Sequence, residues 1–174
     1  MFWRAGSLAI WAAILAACSP VLDWREVRPE ESGAVALFPC RPASHARRLR
    51  LGAAEAEMFL YACSASGATF ALAYADVSEP GRVEAALAAL RGAASTNVGG
   101  TVQPDGELNV PGTTPNRHAQ RLRIVGHLPD GRETQMAVGF FVKGTRVFQA
   151  SVVSPRPLDA DAVSTFFAGL NVPS

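Results

Sequence analysis

The side chains of this chain best suited to covalent chemistry are its three cysteines, Cys18, Cys40 and Cys63. A thiol can form a disulfide, carry a lipid, ligate a metal or act as a nucleophile, and its surroundings decide among these. A structural zinc site needs four ligands brought together, chiefly Cys sulfur and His nitrogen. The three histidines, His45, His118 and His127, lie far apart with no helical pair, so no metal site and no cofactor is expected. A serine nucleophile usually sits in Gly-x-Ser-x-Gly, which does not occur, and Ser64 and Ser66 read as turn residues. Asp76, Asp105, Asp130 and Asp161 stand where strand ends, turns or a helix start are expected, and Asp is structurally favoured there. Asn97-Val98-Gly99-Gly100 ends a helix instead of opening one and lacks Gly-Lys-Ser/Thr, so it is no phosphate loop. No catalytic residue is assigned.

Cys18 has a distinctive setting. Arg4 is followed by an uncharged apolar run, Ala5 to Ala17, well short of the roughly 20 residues that span a bilayer. A basic start, a short apolar run and small residues at its end mark a secretory signal. Leu15-Ala16-Ala17-Cys18 resembles the lipobox of bacterial lipoproteins, in which the cysteine is acylated and becomes the first residue. Ala16 and Ala17 let an extended backbone enter a membrane protease, and the thiol accepts the lipid. The alternatives are an ordinary cleaved signal and an uncleaved short anchor. The resemblance implies a signal peptide over 1–17 and a lipid bilayer as partner through acylated Cys18. The same resemblance implies a sorting rule in which Asp after the cysteine retains the protein at the inner membrane, so that Ser19 points to the periplasmic face of the outer membrane.

Removing residues 1–17 from the 174 present leaves enough chain for one domain with a core. Lys plus Arg number 16 and Asp plus Glu 15, a near-neutral balance that excludes the electrostatic footprint of nucleic-acid binding. The one basic run, His45-Ala46-Arg47-Arg48-Leu49-Arg50, alternates as the wet edge of a strand would. With Cys18 assigned to lipid, Cys40 and Cys63 become a candidate disulfide in an oxidising compartment, the alternative being two buried free thiols.

The elements that must position these residues follow from periodicity. Residues 18–32 read as a tether, with Trp24 and Val27 docking part of it, and residues 33–174 as a single α+β domain. Strands are expected at Val35–Phe38, Arg48–Leu51, Glu57–Cys63, Thr69–Ala75, Ala119–Gly126, Gln135–Val142 and Arg146–Val153, with a short one at Glu107–Val110. Ser66-Gly67, Pro129-Asp130-Gly131 and Lys143-Gly144 are turns. Pro80 opens a helix carrying Val83, Ala86, Leu87, Leu90 and Ala94 on one face. Asp159 caps a closing helix with Val163, Phe166, Phe167 and Leu170. Runs of antiparallel strands with one helix midway and one at the end predict a twisted antiparallel sheet of about six strands with two packed helices.

Phe38-Pro39, Phe70-Ala71-Leu72-Ala73-Tyr74-Ala75-Asp76, Gly144 to Ala150 and Thr165 to Leu170 resemble small exported bacterial proteins with the PsbP-like and DcrB-like α/β/α sandwich. That group shares no catalytic residues, so the resemblance implies a binding or accessory role by analogy only. The expectation is a non-enzymatic periplasmic lipoprotein that assists an envelope protein partner. An envelope hydrolase with dispersed Asp, His and Ser is the alternative. Val110 to His118 is a constrained loop in which Asn116, Arg117 and His118 could border a binding surface, or simply form a rigid connector.

Overall fold

A computed structural model describes residues 22–173 of the chain. Its main element is a seven-stranded antiparallel sheet, larger than the six strands expected. In chain order, β1 (Arg25–Val27) pairs with β2 (Ala36–Phe38) as a separate two-stranded sheet. β3 (Ala43–Leu51), β4 (Ala54–Ala65) and β5 (Ala68–Asp76) then form a meander. A 3-10 turn at Pro80–Arg82 leads into α1 (Val83–Val98), followed by β6 (Thr101–Glu107), β7 (Gln120–His127), β8 (Glu133–Lys143) and β9 (Arg146–Ser154). α2 (Ala160–Ala168) closes the domain. The sheet order β3-β4-β5-β9-β8-β7-β6 places β9 beside β5, so the two meanders join at the centre through the last strand.

Alternation along each strand sorts side chains to two faces. On one face β5 presents Phe70, Leu72 and Tyr74 beneath α2 and β2, with Phe38, Phe141, Phe148, Phe166 and Phe167 in the same core. On the other it presents Ala73 and Ala75, which with Met58, Met136, Val138 and Phe140 receive α1. All the buried aromatic residues except Phe140 therefore gather under α2. Small and flexible ones gather on the α1 face. β8 and β9 are covered on both faces, which explains their nearly continuous apolar runs.

Both helices end as their sequences direct. Gly99 takes the left-handed conformation (φ 58°) and its N–H donates to the Ser95 carbonyl, closing α1. Asp159 accepts from the N–H groups of Asp161 and Ala162, capping α2. Ser66 and Gly67 both have positive φ, as the two-residue β4–β5 hairpin requires.

Three expectations are corrected. The strand at 35–38 belongs to the small sheet, where its partner β1 lies inside the segment expected to be a tether. Trp24 meets Phe70 edge-on at 6.0 Å. The strand expected at Glu107–Val110 lies instead at Thr101–Glu107, and Leu108 and Val110 are buried beneath α2. Pro104 and Gly106 disguised it. An edge strand tolerates proline because the absent N–H has no neighbour to serve, and the pairing shifts register between Pro104 and Glu107. Finally, β3 extends back to Ala43, giving the sheet a nine-residue exposed edge whose polar side chains hid the strand's length.

Candidate functional site

The loop carrying Asn116, Arg117 and His118 is welded to the domain along its length. Thr114 N–H donates to the Val142 carbonyl at 2.7 Å, Lys143 Nζ to the Gly112 carbonyl at 2.7 Å, and Val172 N–H to the Pro111 carbonyl at 2.9 Å. Asn116 Oδ1 accepts from the His118 N–H at 2.7 Å, forming a local turn. The Arg117 and His118 side chains converge on Glu84 in the first turn of α1: Arg117 Nε donates at 2.5 Å and His118 Nε2 lies 2.9 Å from the same oxygen. The hydrogen bond to His118, followed by that from Arg117, holds the Glu84 carboxyl below its usual range. A shallow cavity of about 480 Å³ along this loop includes Asn116 but neither Arg117 nor His118. The three residues come together, and two of them spend their polar groups fastening the loop to α1.

The remaining candidates for chemistry are held by structural partners. Asp76 accepts from the Ser78 N–H at 2.8 Å and from Thr145 Oγ1 at 2.9 Å, with Arg146 Nη2 at 3.5 Å. Asp105 lies 2.9 Å from Arg121 and 3.9 Å from Arg123. Asp130 pairs with Arg132 across a turn. Tyr74 donates to the Glu30 carbonyl, and burial, with Tyr61 nearby, pushes its hydroxyl up to about 12. Among the described residues no group of three His, Cys, Asp or Glu could hold a metal ion.

Cys40 and Cys63 are joined in a disulfide with Cα atoms 6.0 Å apart. It ties the end of the small sheet to β4, next to the point where Asp23 N–H bonds the Pro39 carbonyl. Cys18 lies outside the described residues.

One apolar groove was not anticipated. On the α1 face, the C-terminal half of α1 and strand β3 enclose a groove of about 600 Å³. Met58, Leu60, Ala73 and Met136 form its floor, and Ala89, Ala93 and Asn97 of α1 form one wall. Leu60 is 36% exposed, one of few large apolar side chains that the fold leaves open. The space exists because alanines stand where larger residues would fill it. His45, Arg47 and Arg50 are its only ionisable lining residues, and no carboxylate lines it. Arg50 is engaged by Glu55 at 3.1 Å, while Arg47 has no ion-pair partner among the described residues. A sequence signal was present. β3 places His45, Arg47 and Leu49 on one face, and α1 has alanine at 89, 93 and 94, but nothing local says the two meet.

No protein-family model matches this chain, and no curated protein matches it.

Proposed function

We propose that this chain is a lipid-anchored protein of the bacterial envelope that works as a binding or assembly accessory rather than as an enzyme. The observation that carries the reading is the Cys40–Cys63 disulfide, because such bonds persist in oxidising compartments and are rare in the cytosol. The lipobox-like Leu15-Ala16-Ala17-Cys18 supplies the anchor, and Ser19 favours the outer membrane. The α/β/α arrangement agrees with the exported proteins this sequence resembles. A hydrolase would need carboxylate, imidazole and hydroxyl groups in one relay, whereas Glu84 meets His118 and Asp76 meets Thr145 as two separate pairs.

Anchoring at Cys18 also orients the domain. Four residue steps separate Cys18 from Leu22, at most about 14 Å of extended chain. Leu22 lies beside Ala65, Ser66, Arg156 and Pro157, so that end of the sheet would rest on the bilayer. Intact mass spectrometry of the native product tests the anchor. Loss of residues 1–17 with added acyl mass on Cys18 is expected, and Cys18→Ala should release the protein from membranes. A product that keeps its first eighteen residues and carries no acyl mass overturns the reading.

A further inference from the structure

We infer that the groove between α1 and β3 binds the acyl chain of a long-chain fatty carboxylate, with the carboxylate held at Arg47 and His45. The inference rests on the binding-module reading above, and not on the lipid at Cys18. Its grounds are shape, lining and charge. A groove of about 600 Å³ is of the size small-molecule sites occupy, and such sites are mostly apolar with a few placed polar groups. Met58 and Met136 on the floor are adaptable side chains suited to a flexible hydrocarbon. Arg50 is engaged by Glu55, which leaves Arg47 as the rim cation without an ion-pair partner among the described residues, and that charge complements an anionic head group. Arg47 can take a carboxylate in two parallel hydrogen bonds.

A peptide fits less well. Inside the groove it would lay backbone N–H and C=O groups on Met58, Leu60, Ala73 and Met136, whose side chains cannot hydrogen-bond them, while a peptide paired to the open edge of β3 would extend the sheet beyond the groove instead of filling it. An acyl chain brings no such groups. A long apolar tail with one negative end matches both parts of the groove at once.

The test uses the full chain in its own membranes. Hexadecanoate bearing a chain diazirine and a terminal alkyne is added, irradiated, and the labelled peptides are mapped. Labelling is expected at Met58–Leu60 and at Ala89–Asn97, suppressed by unlabelled hexadecanoate and not by hexadecyltrimethylammonium at the same concentration. Ala93→Trp should abolish it by filling the space. Arg47→Glu should weaken it about tenfold, the loss of one charge-assisted contact. Both sites are on the surface, and an unchanged melting temperature separates loss of binding from loss of fold. Labelling spread evenly over the chain, labelling insensitive to both variants, or a crosslink at Leu60 and Ala93 to a second copy or another protein would each overturn the inference. Intact mass reads the anchor separately, so groove labelling on an unacylated chain would sink the anchor and leave the groove standing.

Discussion

Asp76 shows how little freedom the charged residues of this domain have. Its carboxylate terminates β5 and closes a turn in which Ser78 takes a positive φ of 61°. The Ser78 N–H, then Thr145 and Arg146, lower its pKa from the ordinary carboxylate range. A group depressed on folding stabilises the native state above its unfolded pKa. That contribution is lost as pH falls through the folded value. Asp76→Asn should therefore cost about 0.5–1 kcal/mol at pH 7, the site being partly exposed and screened. Urea midpoints of the two proteins should draw together as pH drops below about 4, where the unfolded carboxyl begins to protonate. A gap constant from pH 7 to pH 2 would mean the charge plays no part. The same scale holds Arg117 and His118. Their types were visible as a candidate polar site, but Glu84, 33 positions before Arg117, was not visible as their partner.

At the scale of elements, α2 is short and depends on what it buries. Phe166 is fully buried and meets the rings of Phe38 and Phe70 edge-on, each at 5.5 Å, joining the small sheet to the large one. Phe166→Ala should cost about 3–5 kcal/mol, the range for deleting a buried aromatic side chain. Thermal unfolding should show it, and a loss below 1 kcal/mol would mean the two sheets do not share this core. Elements with strong local signals were legible, among them α2 through Asp159 and its apolar face, α1 through its spacing, and β5, β8 and β9 through continuous apolar runs. β6 was displaced because Pro104 and Gly106 argue against a strand everywhere except at an edge. The backbone there is paired on one side by β7, and no local rule reveals that partner.

For the molecule as a whole, the disulfide covalently joins the small-sheet segment to β4, regions that otherwise meet through packing and a few hydrogen bonds such as Glu30 N–H to the Tyr61 hydroxyl at 3.1 Å. It closes a loop between residues 23 apart in sequence, and the chain-entropy argument assigns it about 3 kcal/mol. The paired variant Cys40→Ser with Cys63→Ser should fold with a denaturation midpoint lowered to that extent. Dithiothreitol should bring the native protein down to the variant and leave the variant unchanged. A native protein indifferent to reductant would show that the thiols are unbonded. No described helix is long and apolar enough to cross a membrane.

What the sequence determined by itself is whatever depends on near neighbours. The α+β class, the caps and turns, the apolar faces of both helices and the pairing proposed for Cys40 and Cys63 all follow from periodicity, side-chain type or the count of cysteines. Tertiary structure alone decided the order in which seven strands pair, the return of β9 to the centre beside β5, and the docking of residues 24–38 over the aromatic face. It also decided the groove. An alanine looks the same in sequence whether it packs against a neighbour or borders a space, because a cavity is defined by atoms brought from distant parts of the chain, here α1, β3 and β4.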